Sequence, residues 1–208
     1  MKRRNFLQLS AFAGVGLTLP MSGLLNACTN HPEHSLEFKN LITDLLKDWS
    51  DGMLKVQINN PSNLEVHGAL GCPSCSHIHG RCMDAVYPFL FMADKTGDKK
   101  YVEGAKLVMT WAENNVSQEN GAWTVIKNPK SWKGITIFGA IALAEALHYH
   151  GHVLDEETRK AWTVRLEKAG QYIYDTFTID FTNINYPGTA VYGMNLIGGV
   201  VNRDDFKA

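Results

Sequence analysis

The chain has 208 residues, and its 20 basic and 21 acidic side chains give a formal charge of −1 at pH 7. Nucleic-acid binding draws mainly on a basic surface, so this balance argues against a nucleic-acid partner. Hydrophobic residues make up 45% of the sequence, which is ordinary for a packed core, and the length suits one domain behind a short leader.

Residues 1–28 have the composition of an export signal. The charged start Lys2-Arg3-Arg4 precedes a short apolar segment over residues 9–19, as in twin-arginine signals. Leu25-Asn26-Ala27-Cys28 resembles a bacterial lipobox, which predicts lipid attachment at Cys28. The apolar segment falls short of the roughly 20 residues that a membrane span needs. We expect a protein of the periplasm or outer membrane that touches the membrane through a lipid anchor at most.

Residues 29–35 are predicted to be a polar tether, and residues 36–208 to form one helical domain. Loss of the signal removes three basic residues and leaves 17 basic against 21 acidic groups, a formal charge of −4. Apolar spacing, turn residues and an acidic first turn after Asp155 define the predicted helices. Helices are predicted over 36–53, 84–95, 98–116, 135–150, 155–177 and 188–201, with a short strand over 121–126.

The helices follow a repeat of 54 residues. Gly80, Gly134 and Gly188 each precede an apolar helix, and both intervals between them are 54 residues. A helical hairpin plus a loop at such a period is typical of a solenoid or a closed ring. The first helix of each unit is apolar and the second carries charges, so we expect an inner and an outer layer.

A family resemblance rests on three segments: HGRCMDAVYPFLFMADKTGD, SWKGITIFGAIALAEAL and NINYPGTAVYGMNLIGG. Together they resemble exported (α/α)6-toroid proteins of Bacteroidota. These are similar to glycoside hydrolase family 154 β-glucuronidases and, more distantly, to unsaturated glucuronyl hydrolases and heparinase-type lyases. The resemblance covers about residues 36–208 and implies an all-α, incomplete toroid that acts on glycans. Since a six-hairpin ring needs six repeats, we expect the chain to be the N-terminal half of a longer protein.

Inner helices that begin at one height bring their preceding loops to one pole of the ring. Arg81 and Lys133, beside free helix N–H groups, suit a carboxylate, and Trp123 and Trp132 suit the apolar face of a sugar. A uronic acid satisfies both demands, so an oligo- or polysaccharide is the expected partner. In the alternative, Trp132 is a wedge between helices and Arg81 only pairs with Asp84. The other predicted substrate-binding residues of this pole are His77, Asn185 and Tyr186.

Two reactions are open to such a site. Glycoside hydrolysis usually needs two carboxyl groups, and Asp84, held ionised beside Arg81, is the best placed. β-Elimination needs a base near the α-proton and a cation on the carboxylate, which His79 or Tyr186 with Arg81 would supply. We expect hydrolysis of acidic, uronic-acid-containing glycans, with Asp84 and His79 in proton transfer. A polysaccharide lyase and a non-catalytic glycan-binding lipoprotein are the alternatives.

A metal centre is a weaker alternative for the same segment. Cys72, Cys75, His77 and His79 have the composition of a zinc site, but their spacing matches no common zinc motif, so no metal or other cofactor is expected. With Cys82, the cysteines also allow a Cys72–Cys75 or Cys75–Cys82 disulfide, or reduced thiols. A second histidine group, at the other end of its helix, is expected to be structural: His148, His150 and His152.

Overall fold

The computed structural model describes residues 32–74 and 77–207. The predicted signal, Cys28 and Cys75 lie outside the described residues, so export and lipid attachment stay predictions. The chain divides into two units, Met1–Thr43 and Asp44–Ala208, and the site described below lies in the second. Across the described ranges, no helix combines the length and the apolar character needed to cross a membrane.

The described residues form helices joined by loops, with no strand among them. The α-helices are α1 (Pro32–Val56), α2 (Val86–Thr96), α3 (Lys99–Asn115), α4 (Thr136–His150), α5 (Glu156–Thr176) and α6 (Asn185–Val201). Three short 3₁₀ helices are η1 (Gly80–Ala85), η2 (Gly151–Val153) and η3 (Asp204–Phe206). The all-α prediction is confirmed. The predicted strand is wrong, since residues 121–126 contribute only the isolated bridge between Ser117 and Trp123, and α1 begins inside the predicted tether.

The helices of the second unit form two layers. The apolar helices α2, α4 and α6 pack side by side, and the charged helices α3 and α5 cover them from outside. This is the hairpin order of an (α/α) toroid, so the predicted incomplete ring is confirmed. The core between the layers consists of fully buried side chains, among them Phe89, Leu90, Ile137, Leu143 and Leu166.

Local sequence signals set the helix ends. Helix α2 ends at Gly97, whose φ of 70° is the left-handed conformation that glycine adopts without strain. The Asp98 carboxylate then accepts a hydrogen bond from a backbone N–H of the first turn of α3, and Asp155 does the same for α5. Such caps satisfy helix N–H groups that have no partner within the helix. They fix the hairpin turns, and with them the start of each following helix.

Gly80 holds η1 against the loop that precedes α4. Its N–H donates to the carbonyl oxygen of Val125 at 2.6 Å. A Cβ at this position would overlap the carbonyl of Thr124, so only glycine allows the approach. By contrast, a Cβ at Gly188 would meet nothing within 4 Å. Packing therefore demands the first glycine of the 54-residue repeat but not the third.

Candidate functional site

The short helix η1 places three polar side chains on one turn. Asp84 Oδ2 accepts hydrogen bonds from Nε and Nη2 of Arg81, both at 2.6 Å. His79 is the N-cap of the turn, and its Nδ1 accepts the backbone N–H of Arg81 at 3.0 Å. The Arg81 side chain is 49% exposed, whereas that of Asp84 is 25% exposed. The turn thus offers a cation to solvent and keeps its carboxylate behind it.

Burial and the Arg81 charge act in opposite directions on the pKa of the Asp84 carboxyl group. Burial raises its pKa, and this effect outweighs the opposing influence of the Arg81 guanidinium. Its Oδ1 is buried and has no hydrogen-bond partner among the described residues. Sequence reasoning took the Arg81 charge as the main influence on Asp84, whereas desolvation has the larger effect on its pKa.

An aromatic chain links Arg81 to the next two repeats. The Arg81 guanidinium lies 4.6 Å from the centroid of the Phe138 ring on α4. Phe138 contacts the ring of Tyr186 on α6 at 5.7 Å, and Tyr186 contacts Trp132 edge to face at 5.6 Å. The fold therefore brings Arg81, Tyr186 and Trp132 together at one pole, from three successive repeats. Their roles in substrate binding stay predictions.

A cavity of about 400 Å³ lies beside this cluster, along the faces of the inner helices. Glu145 of α4 lies at one end and accepts a hydrogen bond from the Tyr192 hydroxyl on α6. That bond, together with burial, raises the pKa of Tyr192 to about 12. The cavity, which we call the inner cavity, is lined by Arg81, Asp84, Tyr87, Phe138, Ile141, Ala142 and Glu145.

A larger cavity of about 830 Å³ adjoins the other side of the same turn. It lies between α1, the loop at residues 70–73 and the start of α2, and it shares Arg81, Asp84 and Tyr87 with the inner cavity. Most of its lining is apolar, including the exposed Trp49 and the side chains of Leu46, Met53, Val56 and Leu70. The Arg81–Asp84 pair therefore forms a wall between two concave surfaces.

Trp123 does not belong to this pole. Its side chain is fully buried, its Nε1 donates to Glu113 at 2.9 Å, and the Arg165 guanidinium covers its ring at 3.7 Å. Both the polar edge and a face of the indole are thus occupied within the protein. This burial contradicts the predicted role of Trp123 in sugar stacking.

Among the described residues, the other predicted binding residues make no hydrogen bond, ion pair or ring contact with Arg81. Lys133 donates from Nζ to the carbonyl oxygen of Pro129 in its own loop at 2.6 Å. His77 and Asn185 are exposed, the latter as the first residue of α6. Trp132 is 43% exposed, so part of its ring is available to a ligand. These four residues keep their predicted roles as proposals.

The cysteine and histidine groups show no sign of a metal centre within the described ranges. There, no group of three or more His, Cys, Asp or Glu side chains has the arrangement of a metal site, and Cys75 lies outside those ranges. Cys82 is a free thiol that donates to the carbonyl oxygen of Leu70 at 3.3 Å, and burial raises its pKa. His150 and His152 contact the Asp94 carboxylate at 3.0 and 2.9 Å.

Comparison with known proteins decides the family. A model described as the ulvan lyase N-terminal domain matches residues 46–208. The chain belongs to this family. A curated relative, the broad-specificity ulvan lyase of Formosa agariphila, is 76% identical over 207 residues, which cover 100% of this chain and 32% of the relative. The chain thus spans about a third of the length of that relative, and no solved structure matches it.

Membership of the ulvan lyase N-terminal domain family corrects two predictions. The expected glycan-active class is confirmed, but the matched family and the relative are lyases, not family 154 β-glucuronidases. The prediction of glycosidic hydrolysis is wrong for the same reason. The lyase alternative agrees with both matches, and it does not require the second catalytic carboxylate that the sequence failed to supply.

Sequence reasoning missed Tyr87, Phe138 and Glu145 of the inner cavity because they lie on helices, not at loop ends. It also missed Tyr192, which donates a hydrogen bond to Glu145. Phe138 and Glu145 are seven positions apart on α4, which places them on one face of the helix. Glu145 is the only acidic residue of α4, and that isolated charge in an apolar helix was the available signal. Tyr87 and Tyr192 carried no comparable signal, because tyrosine suits both cores and clefts.

Proposed function

We propose that this chain is part of a polysaccharide lyase that cleaves uronate-containing glycans such as ulvan by β-elimination. The observation that carries this proposal is the 76% identity, over the whole chain, to a broad-specificity ulvan lyase. In β-elimination a base removes the proton beside the carboxylate, the bond to the departing sugar oxygen breaks, and a carbon–carbon double bond forms. The oxygen that leaves takes up a proton.

The geometry of Arg81 suits binding of the uronate carboxylate. Its Nε and Nη2 are bonded to Asp84, while its Nη1 has no hydrogen-bond partner among the described residues. The Phe138 ring centroid lies 4.6 Å from the guanidinium carbon, and both residues line the inner cavity. A cation at the carboxylate stabilises the negative charge that develops when the neighbouring proton is removed.

His79 is arranged to donate a hydrogen bond. Its Nδ1 accepts a backbone N–H, so that nitrogen carries no proton, and the neutral ring must carry its proton on Nε2. A neutral imidazole is too weak an acid to give up this proton, but the exposed Nε2–H can donate a hydrogen bond to the oxygen of the departing sugar. We propose that His79 stabilises this oxygen, which takes up its proton from water, and this limits the predicted part of His79 in proton transfer to hydrogen bonding.

Tyr186 is the better candidate for the base. Tyr192 is a poor one, since Glu145 holds its proton and its pKa is raised to about 12. Tyr186 contacts Phe138, the ring that also lies 4.6 Å from the Arg81 guanidinium, so a sugar ring held by Arg81 lies near Tyr186. Trp132 is proposed to stack on the sugar, and Lys133, His77 and Asn185 are proposed to bind its neighbours.

The test uses the full-length protein with uronate-containing polysaccharide, followed by the ultraviolet absorbance of the unsaturated uronate product. We expect turnover by the wild type and a roughly hundredfold lower kcat/KM for Arg81→Ala. Arg81→Lys is the matched control: it keeps the charge but loses the planar fork, and we expect a loss of about tenfold. Binding without turnover, or products without the double bond, would contradict the proposal.

A further inference from the structure

The indole ring of Trp132 lies against Gly134, the second glycine of the 54-residue repeat. A Cβ on Gly134 would come 2.3 Å from Cζ2, 2.4 Å from Cε2 and 2.6 Å from Nε1 of that ring. Atoms that are not bonded to each other do not approach so closely, so any side chain at position 134 must displace the indole. At Gly80, by contrast, a Cβ would overlap a backbone carbonyl, and at Gly188 it would meet nothing within 4 Å.

Aromatic contacts with the next repeat hold the same indole ring. Phe181 stacks on Trp132, with ring centroids 5.6 Å apart and ring planes 27° apart, and Tyr186 contacts it edge to face. Phe181 also stacks on Phe177 at 4.1 Å, and Phe177 is a buried member of the core. The rings of Phe177, Phe181 and Trp132 therefore form a row that runs from the core to the pole where Arg81 lies.

The backbone of Trp132 is held as well. Its carbonyl oxygen accepts a hydrogen bond from the N–H of Val125 at 3.1 Å. The residue is nevertheless 43% exposed, so a ligand can reach part of the ring. A ring that is held in one orientation before the ligand arrives loses little conformational entropy on binding, which favours affinity.

We propose that Gly134 and Phe181 are positioning residues that orient the Trp132 ring for stacking on the sugar. The inference rests on the proposed function, in which Trp132 stacks on the substrate, and adds the contacts that hold the ring in place. The atoms nearest to a Cβ on Gly134 belong to the Trp132 side chain and not to the backbone. A methyl group there therefore moves the ring and leaves the fold in place.

The first test adds a methyl group at two equivalent glycines and measures the KM of the full-length protein for uronate-containing polysaccharide. In Gly134→Ala the new methyl group displaces the indole, so we expect KM to rise about fivefold while kcat is unchanged. Gly188→Ala is the matched control, because its methyl group meets nothing within 4 Å, and its KM should equal that of the wild type. An unchanged KM in Gly134→Ala, or an equal rise in both variants, overturns the inference.

The second test separates orientation of Trp132 from direct contact with the sugar. Phe181→Ala removes the stacked ring and should raise KM about threefold, whereas Phe181→Tyr keeps the ring and should keep the wild-type KM. When either Gly134→Ala or Phe181→Ala is combined with Trp132→Ala, KM should rise no further than in Trp132→Ala alone, because the ring that they orient is gone. A further rise in the double variants overturns the inference, and so does an unchanged KM in Trp132→Ala.

The controls distinguish failure of the inference from failure of the proposed function. Melting temperatures show whether each variant is folded, and if Gly134→Ala does not fold, the Phe181 variants decide. A wild type that forms no unsaturated product overturns the proposed function instead.

Discussion

Arg165 and Arg81 each lie over an aromatic ring beside a carboxylate, and they differ in how many of their N–H groups are hydrogen-bonded within the protein. Arg165 is buried above Trp123, with Nε 2.8 Å from both Glu113 oxygens. Its Nη1 donates to the carbonyl of Gly121 at 3.0 Å, and its Nη2 donates to the Ser117 hydroxyl at 3.1 Å. Every nitrogen of this guanidinium has a partner within the protein.

Arg81 has the same kinds of neighbours, but they use fewer of its guanidinium N–H groups. It pairs with one carboxylate, Asp84, and lies over Phe138 beside a cavity, and within residues 32–74 and 77–207 its Nη1 has no hydrogen-bond partner. Residue types alone therefore do not separate a structural arginine from a ligand-binding one. The number of donors left unsatisfied and the access to a concave surface do separate them.

The largest effect on stability is expected for the buried contacts of Arg165. Arg165→Ala leaves the Glu113 carboxylate without its cation and removes the Nη1 donor to the carbonyl of Gly121, so we expect a loss of about 3–5 kcal/mol in the free energy of unfolding. Urea denaturation followed by helical circular dichroism measures it. The matched control is Arg159→Ala on the same helix, where the side chain is exposed and the change should stay within about 0.5 kcal/mol. Equal losses of stability in Arg165→Ala and Arg159→Ala would contradict a structural role for the buried contacts of Arg165.

The two tryptophans give the next test of the same contrast. Trp123→Ala opens a large hole in the core and should cost about 3–5 kcal/mol of stability. Trp132→Ala removes a partly exposed ring and should change stability by less than about 1 kcal/mol, while the KM for polysaccharide rises by about tenfold. Urea denaturation measures the stability of both variants, and steady-state kinetics measure the KM of each for polysaccharide. An unchanged KM in Trp132→Ala would make that residue a wedge between helices.

The fold was predictable because its signals are local and repeated. The apolar run of α4, the caps at Asp98 and Asp155 and the 54-residue interval each depend on neighbours in sequence. Together they predicted the hairpins, their order in two layers and one pole for Arg81 and Tyr186, which Phe138 links in the structure. Local signals of this kind hold in the folded protein because they determine where each helix begins and ends.

The rest of the site depended on contacts between distant segments. Trp123 lies in a polar stretch, and its burial follows from Arg165 in the next hairpin, which no local pattern reveals. The faces of α4 and α6 that meet at Glu145 and Tyr192 depend on how each helix is rotated in its layer. The choice between hydrolysis and elimination was equally out of reach, because Arg81 and its neighbours are residue types that serve both reactions.

The smallest expected effect is the pH dependence of the free energy of unfolding that comes from Asp84, the partner of Arg81. Because burial raises the pKa of Asp84, the folded state binds more protons than the unfolded state from the ordinary value of 3.8 up to the raised one. Asp84 therefore lowers stability as pH rises through that window, and Asp84→Asn removes this trend. Urea denaturation at several pH values between about 3 and 6 measures the difference between wild type and variant.

Asp155 is the matched control for Asp84, since its pKa shifts in the opposite direction. The hydrogen bond from Lys106 and the N–H of Thr158 hold the Asp155 pKa well below its ordinary value. Its stabilising effect is present above the unfolded pKa and is lost as pH falls, so Asp155→Asn must give a difference of opposite slope. If the stability difference for Asp84→Asn has the same slope with pH as that for Asp155→Asn, then the Arg81 charge has a larger effect on the Asp84 pKa than burial has. The Arg81 guanidinium would then be less available to a uronate, and Arg81 would resemble the structural Arg165 more closely.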